Sequence, residues 1–224
     1  MPLLGAGVLA IWNGVTPGTE SEFAEWHVRE HMPERLGVPG FLRGRRYRAI
    51  EGHPAFFNFY ETESPAVLTS PLYVARLNAP SDWTRRVVAQ FRDTGRTVCD
   101  IVSSHGRGEG GTIETVQMSF PATAADHADL LKTLLAAPGI TGVHLLRGRA
   151  ADSAGGTAEK ALRDGPDMVA DGALLIEAIS VEAIRAARAG AGSDDALGRA
   201  GFGDVTRGIY NSHFSLVANE GVQP

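Results

Sequence analysis

Two Pro-Gly pairs, each leading into a strand, form the sequence feature that most limits how this chain can fold. Pro39-Gly40 leads into Leu42-Arg43-Gly44-Arg45, and Pro138-Gly139 leads into Leu146-Arg147-Gly148-Arg149. Before each pair the apolar residues follow the period of a helix, and after it they follow the period of a strand. These echoes indicate that the same supersecondary unit occurs twice, with the order β-α-β-β-α-β in each half.

The positions of the elements follow from the hydrophobic pattern and from the turn residues. Strands are predicted at 8–13, 41–50, 55–61, 96–104, 112–120, 142–149, 173–179 and 207–217. Helices are predicted at 18–36, 65–93, 123–136 and 181–199. Pro33 is expected to kink the first helix or end it early, and breaks are expected in the second at Pro71 and at 78–80.

A glycine-rich connector, His105 to Gly111, is the natural boundary between the halves. It separates a first half of residues 1–106, which carries the candidate pocket, from a mainly structural second half of residues 107–224. Residues 152–167 form a polar, glycine-containing insertion in the second half. We expect this insertion to be more mobile than the strands around it, unless it folds over the pocket.

The repeated unit predicts the fold class. One β-α-β-β-α-β unit is the ferredoxin-like motif, an antiparallel sheet with helices on one face only. Two units in one chain can cover each other's open faces. We therefore expect an α+β protein of two tandem ferredoxin-like units packed sheet to sheet, and a monomer or a weak homodimer in solution.

Composition excludes several classes of protein. The chain contains no apolar run of 18 residues, so no membrane span is predicted. Its net charge of -5 argues against nucleic acid as a partner. Cys99 is the only cysteine, which fits a reducing cytoplasm, and its apolar neighbours favour a core residue over a nucleophile.

The first predicted helix carries one stripe formed by Phe23, Trp26, His27, Glu30 and His31. A stripe that only packed against a sheet would be apolar throughout, whereas this one becomes polar toward its C-terminal end. We interpret His31, and then His27, as a general acid or base that Glu30 could orient. The alternative is that both rings lie half-buried and that the helix dipole favours His31 at its position.

The spacing of His27 and His31 also occurs in zinc sites. The H-E-x-x-H pattern of metalloproteases is absent, however, and no third ligand is evident from spacing. We therefore predict no metal site and keep a divalent metal only as a lesser alternative.

Aromatic residues concentrated in the first half predict an apolar small-molecule pocket with a few polar groups. Leu130 occupies the position that matches His31 when the two Pro-Gly pairs are aligned, so the second half lacks the same chemistry. Core packing is the alternative interpretation of the aromatic residues. The predicted substrate-binding residues are Trp12, Trp26, Arg43, Tyr47, Asn58 and Tyr60.

Arginines occur on both faces of the second predicted strand, so at least one of them lies inside the barrel or at its rim. A buried arginine needs a carboxylate or a bound anion. Glu61 and Asp100 are candidate partners within the chain, and a substrate carboxylate or enolate is the other possibility.

The motif Phe23-x-x-Trp26-His27-x-x-Glu30-His31-x-Pro33, followed by Pro39-Gly40-Phe41, resembles the EthD-like and antibiotic-biosynthesis-monooxygenase-like proteins. These belong to the dimeric α/β-barrel superfamily, and the resemblance covers roughly residues 5–105. It implies an intramolecular version of that barrel. The superfamily hosts monooxygenases, isomerases, cyclases and haem enzymes, so the resemblance implies a fold and leaves the reaction open.

Three hypotheses for function follow. The first is an enzyme that uses histidine acid-base chemistry on a largely apolar or aromatic oxygenated substrate, as an isomerase, lyase, cyclase or cofactor-free oxygenase. The second is a non-catalytic ligand-binding or accessory protein. The third is a haem-binding protein, for which the resemblance makes His213 an outside candidate. We expect a small-molecule partner and predict no cofactor.

Overall fold

Strands and helices are described for residues 2–121, 127–163 and 165–218 in a computed structural model. The strands of this part of the chain are β1 (Gly7–Val15), β2 (Phe41–Glu51), β3 (Phe56–Thr62), β4 (Phe91–Gly106), β5 (Thr112–Ser119), β6 (Ile140–Gly148), β7 (Gly172–Ala178) and β8 (Gly203–Val217). They form a closed barrel with the order β1-β3-β2-β8-β5-β7-β6-β4.

Each half of the chain contributes four neighbouring antiparallel strands to the barrel. The two sets join where β2 pairs with β8 and where β4 pairs with β6. The halves therefore share hydrogen-bonded edges as well as facing each other, which leaves no strand edge of the barrel open. This confirms the predicted class, an α+β protein of two ferredoxin-like units closed into one barrel.

Helical segments cover the outside of the barrel. They are α1 (Glu20–Trp26), a π-helical turn (His27–His31), α2 (Met32–Leu36), a 3₁₀ turn (Pro65–Thr69), α3 (Pro71–Asn78), α4 (Asp82–Val88), α5 (Ala128–Ala136), α6 (Ala150–Ser153), a 3₁₀ turn (Lys160–Leu162), α7 (Val181–Ala189) and α8 (Asp194–Arg199). The breaks predicted at Pro71 and 78–80 are present.

The other helix predictions differ from the structure in detail. The helix predicted over 181–199 is divided into α7 and α8. Gly190 and Gly192 lie between these two helices, and glycine disfavours the helical conformation. The predicted start at Thr123 lies within residues 122–126, outside the described residues. Phe91 to Asp93, predicted as the end of a helix, instead begins β4.

The two Pro-Gly pairs play the same structural role. Gly40 and Gly139 both have positive φ values, 92° and 79°, which L residues rarely adopt. A Cβ at Gly40 would lie 2.6 Å from Val67 Cγ2, and one at Gly139 would lie 2.7 Å from Ala183 Cβ. Each glycine therefore allows the chain to turn tightly beneath a helical segment, the 3₁₀ turn at Pro65–Thr69 for Gly40 and α7 for Gly139, and to enter its strand.

Side chains that alternate along each strand point either into the barrel or toward the helices. The barrel interior is mostly apolar and includes Val8, Ala10, Trp12, Phe57, Phe59 and Tyr210. It also holds a buried ion network in which Arg45 donates to Glu61 at 3.0 Å and to Glu177 at 2.8 Å. Arg43 donates to Glu61 as well, at 2.8 Å.

The partners of the predicted buried arginines are thus settled. Glu61 is confirmed as an internal partner, and it is fully buried. Asp100 instead pairs with Arg149 at 3.2 Å, where both side chains are about half exposed.

Cys99 lies inside the barrel at 1% exposure. Burial, with a smaller contribution from Asp100, raises the pKa of its thiol to about 12. The side chain therefore stays a neutral thiol and packs as a core residue. Among the helices of the described residues, none is long and apolar enough to cross a membrane.

Candidate functional site

The helix that carries the two predicted histidines contains a π-helical turn. The Met32 amide donates to the carbonyl of His27, five residues earlier, in place of the usual four. Pro33 has no amide hydrogen, so it cannot continue the α-helical hydrogen bonds of the preceding turn. The helix neither ends nor kinks sharply there; it changes hydrogen-bond register and continues to Leu36. Such turns occur frequently at functional sites.

The π turn places His31 at the wall of a cavity. The ring packs against Trp26 with centroids 4.2 Å apart and a tilt of 37° between the ring planes, and the residue is 7% exposed. Its Nδ1 atom is buried without a partner, and neither ring nitrogen makes a hydrogen bond to the described part of the chain. A buried polar group that the fold leaves unsatisfied is costly, and a bound ligand is one way to satisfy it.

His27 lies one turn earlier and is fully enclosed. Its Nε2 atom lies 3.0 Å from the hydroxyl oxygen of Tyr60, while its Nδ1 atom is buried without a partner. The rings of His27 and His31 stack with centroids 5.5 Å apart. The two imidazoles and the Tyr60 phenol therefore form one continuous group beside the cavity.

Burial keeps all three groups neutral near pH 7. It is the largest cause that lowers the pKa of His31 well below the usual 6.5, and the positive charge of Arg35 lowers it further. Burial likewise lowers the pKa of His27, followed by the charge of Arg46. It raises the pKa of the Tyr60 phenol far above its usual range. Each imidazole can thus accept a proton, and the phenol can donate a hydrogen bond.

The cavity has a volume of about 340 Å³ and lies between the outer face of the first-half sheet and its helices. Small-molecule sites span roughly 300–1,000 Å³. Its apolar walls include Leu9, Ile11, Leu68, Leu77, Val88 and Phe91. Residues of the 152–167 insertion line the opposite wall, so the insertion folds over the cavity. This is the case in which the insertion is not expected to be more mobile than the strands around it.

The insertion is held in place by polar contacts with the first half. The guanidinium of Arg35, itself 2% exposed, pairs with Glu159. The Glu159 amide donates to the carbonyl of Leu77 at 3.0 Å, and the Ala158 amide donates to the Asn78 side chain at 2.9 Å. These contacts close the cavity over His31.

Glu30 does not lie where an orienting carboxylate was predicted. It accepts hydrogen bonds from the hydroxyls of Ser81, at 2.5 Å, and Thr84, at 2.9 Å. Thr84 also accepts from the Trp26 indole at 3.1 Å. The π turn directs Glu30 toward the start of α4, so its carboxylate anchors α4 to the first helix and contacts neither imidazole.

The predicted substrate-binding residues are divided by the sheet. Trp26, Asn58 and Tyr60 lie on the helix side with His31, and Asn58 donates to the Asn13 side chain at 2.8 Å. Trp12, Arg43 and Tyr47 point into the barrel, where Tyr47 accepts from Arg45 at 3.2 Å and the Trp12 indole donates to Thr115 at 3.1 Å. The prediction that Tyr47 and Trp12 share a cavity with His31 is wrong, because alternate residues of a strand face opposite sides.

Several cavity residues were not predicted from the sequence. Arg35 follows His31 by four residues, the spacing that keeps both on one helix face, so that signal was available. Tyr73, Arg96 and Arg163 reach the cavity from separate elements, and no local pattern connects them to the histidines. Among the described residues, no group of three or more His, Cys, Asp or Glu side chains is placed to hold a metal ion.

Solved structures with the same fold include an anthrone oxidase-like protein, at 16% identity and a TM-score of 0.62, covering 96% of this chain and 94% of that one. A predicted monooxygenase from Fusobacterium nucleatum subsp. nucleatum matches at 11% identity and a TM-score of 0.58, covering 98% of this chain and 97% of that one. A heme-binding protein from Thermus thermophilus matches at 12% identity and a TM-score of 0.50, covering 96% of this chain and 93% of that one. No protein-family model and no curated protein matches the chain.

These likenesses cover nearly the whole chain and show its fold. The protein has the dimeric α/β-barrel fold in a fused form, as the sequence predicts. This fold hosts several unrelated chemistries, so the function has to be argued from the cavity itself.

Proposed function

We propose that the chain is a small-molecule enzyme in which His31 acts as a general base on an aromatic oxygenated substrate bound in the cavity. The observation that carries this proposal is the His31 ring. It is 7% exposed, lies at the cavity wall, and has no hydrogen bond from either nitrogen within the described part of the chain. A neutral imidazole that the fold leaves unpaired is ready to accept a proton.

The proposed reaction begins with removal of a proton from a carbon that is next to the substrate carbonyl or is conjugated with it through an aromatic ring. His31 accepts the proton, and the electron pair of the broken C–H bond moves to the carbonyl oxygen to form an enolate. The Tyr60 hydroxyl donates a hydrogen bond to that oxygen as its negative charge develops. This charge is stabilised inside an apolar cavity, where a hydrogen bond is stronger than in water.

His27 supports this role of Tyr60. If His27 carries its hydrogen on Nε2, it donates to the phenol oxygen 3.0 Å away. The hydroxyl hydrogen of Tyr60 is then free to point into the cavity, and the buried Nδ1 of His27 carries only a lone pair. In this arrangement His27 is a positioning residue and does not touch substrate.

An isomerase, a lyase, a cyclase and a cofactor-free oxygenase could all start from this enolate. The fold neighbours named anthrone oxidase-like and monooxygenase support the last of these. In that case the enolate transfers electrons to molecular oxygen. A CH₂ carbon becomes a carbonyl, one oxygen atom enters the product and the other leaves as water.

Proton abstraction can be measured without knowing the later steps. Anthrone, tetralone and hydroxylated derivatives are incubated anaerobically in D₂O, and exchange at the acidic carbon is followed by NMR. We expect the protein to accelerate exchange of at least one compound and His31→Ala to lose roughly 10² to 10⁴-fold of that rate. His53→Ala, which removes an exposed histidine outside the cavity, is the matched control.

Exchange no faster than in buffer for every compound would contradict the proposal and favour a binding protein. Exchange that His31→Ala leaves intact would contradict the role of His31. Oxygen consumption with the exchanging compound then distinguishes an oxygenase from the other three reaction types.

Haem is the cofactor that the fold class suggests, so its fit to the cavity matters. A histidine that ligates a metal almost always donates its other ring nitrogen to a carboxylate, a carbonyl or water. His31 and His27 each have a buried Nδ1 without such a partner. The cavity volume also lies at the low end of the range for small-molecule sites. The residues around His31 therefore do not fit a haem, and the proposed reaction uses none.

A further inference from the structure

The proposed function leaves the charge of the substrate open, and the far side of the cavity bears on it. We propose, on the basis of that function, that the cavity takes an aromatic carboxylate whose anionic group binds between Arg96 and Arg163. The substrate would then lie with its carboxylate at these arginines and its reactive carbon at His31.

Arg96 is a half-buried cation without an acidic partner. It lies in β4 and lines the cavity, where its guanidinium donates to the Tyr73 hydroxyl at 3.3 Å. Within the described residues no carboxylate comes within ion-pair distance of it. An arginine removed from water in this way normally has a carboxylate or a bound anion beside it.

Arg163 reaches the same region from the insertion. Its side chain is 9% exposed and pairs with Asp167 at 2.9 Å, while its Nε atom is buried without a partner. The segment after Arg163 runs beside β4, where the Met168 amide donates to the Thr94 carbonyl and the Arg96 amide donates to the Met168 carbonyl, both at 2.9 Å. Both arginines line the same cavity, and burial, followed by the charge of Arg96, lowers the pKa of Arg163. One donor of a nearly buried guanidinium is thus left for a ligand.

The acids nearby do not balance these cations. Lys160 also pairs with Asp167, at 3.7 Å, so Arg163 and Lys160 share one carboxylate. Within the described part of the chain, the two acids that line the cavity are already paired, Glu159 with Arg35 and Asp152 with Arg149. Counted over the described residues, this side of the cavity therefore has an excess of positive charge that a ligand anion would neutralise.

Strand register sets the distance between the two ends of the cavity. Ile11 of β1 pairs with Arg96 of β4, and Leu9 of β1 pairs with Tyr60 of β3. Two steps between strands and two residues along β1 separate Arg96 from Tyr60, or about 12 Å between their Cα atoms. The apolar side chains of Leu9 and Ile11 lie between them, which suits a flat aromatic body with a carboxylate at one end.

A matched pair of probes isolates the contribution of the anion. We would measure the binding of 2-naphthoate and of its neutral amide, 2-naphthamide, by isothermal titration calorimetry. Charge-assisted hydrogen bonds are stronger than neutral ones, so we expect the acid to bind about tenfold or more tightly than the amide. Arg96→Gln should remove this preference and leave amide binding within about twofold of its original value.

Two further variants test whether the preference depends on these two arginines. Arg85→Gln removes an exposed arginine of α4 outside the cavity and should leave the preference unchanged, which excludes a general effect of net charge. Arg163→Gln should reduce the preference even if Arg96→Gln fails to fold, as judged by circular dichroism.

The outcomes separate this inference from the proposed function. Equal binding of acid and amide would overturn the anion site, while the cavity and the His31 chemistry would stand. A preference that survives both Arg96→Gln and Arg163→Gln would also overturn it, as would the absence of binding by either probe. The exchange assay with His31→Ala tests the proposed function independently.

Discussion

The Nε2 atom of His27 lies 3.0 Å from the hydroxyl oxygen of Tyr60, joining the π-helical turn to β3. This is the only hydrogen bond that either ring nitrogen of His27 makes within the described residues. Both groups are nearly fully buried. The bond fixes the ring of His27 and holds the phenol at the cavity.

Replacing Tyr60 by phenylalanine should therefore destabilise the protein. The change leaves a buried imidazole with no partner, which costs about 1–3 kcal/mol in the free energy of unfolding. Urea denaturation measures this loss. Tyr47→Phe is the comparison, because Arg45 keeps its bonds to both glutamates when it loses the Tyr47 hydroxyl. Equal losses in the two variants would argue against a special role for the His27–Tyr60 bond.

The free energy of unfolding should decrease as the pH is lowered below about 6.5. In that range the unfolded chain protonates its histidines, whereas the lowered pKa values keep His27 and His31 neutral in the folded state. The unfolded state then binds more protons, so unfolding becomes easier as the pH falls, by up to about 1.4 kcal/mol per pH unit for each histidine. The loss continues until the folded-state pKa is reached.

Denaturation curves at several pH values between 5 and 8 measure this dependence. His31→Gln should reduce the change of unfolding free energy with pH below 6.5 by the contribution of one histidine. The exposed control, His53→Gln, should leave this pH dependence unchanged. A slope unchanged in His31→Gln would contradict a lowered pKa at His31.

Arg45→Met should be among the most damaging substitutions in the barrel interior. It leaves Glu61 and Glu177 short of a counter-charge in a region with almost no exposure, and breaking a buried ion pair in this way costs about 3–5 kcal/mol. Arg149→Met breaks partly exposed ion pairs with Asp100 and Asp152 and should change the free energy of unfolding much less. Similar losses in the two variants would mean that the interior network is hydrated.

Added haemin should give no absorption spectrum typical of histidine ligation, because the buried Nδ1 atoms of His27 and His31 lack the outer partner that supports a histidine ligated through Nε2. Visible spectroscopy of the purified protein tests this directly. A Soret band that shifts on binding and is lost in His31→Ala would overturn the conclusion, and one lost only in His213→Ala would point to the last strand.

The sequence was sufficient to predict the barrel because its evidence is local. Hydrophobic period and the positions of proline and glycine locate each of the eight strands of the described residues, with ends that differ by at most five residues, and the Pro-Gly pairs predict the β-α-β-β-α-β order of each half. The same local evidence placed His27 and His31 on one stripe. It also identified Glu61 as a partner for the arginines, since side chains on the same face of two paired strands lie close together.

Only the tertiary structure decided how these pieces combine into a site. The π turn shifts the helix register, which turns Glu30 away from the imidazoles and toward Ser81 and Thr84. The thickness of the sheet separates Tyr47 from His31, although the sequence predicts that both line one pocket. The insertion, far away in sequence, brings Arg163 beside Arg96. These relationships depend on contacts between distant residues, and no periodic pattern along the chain encodes such contacts.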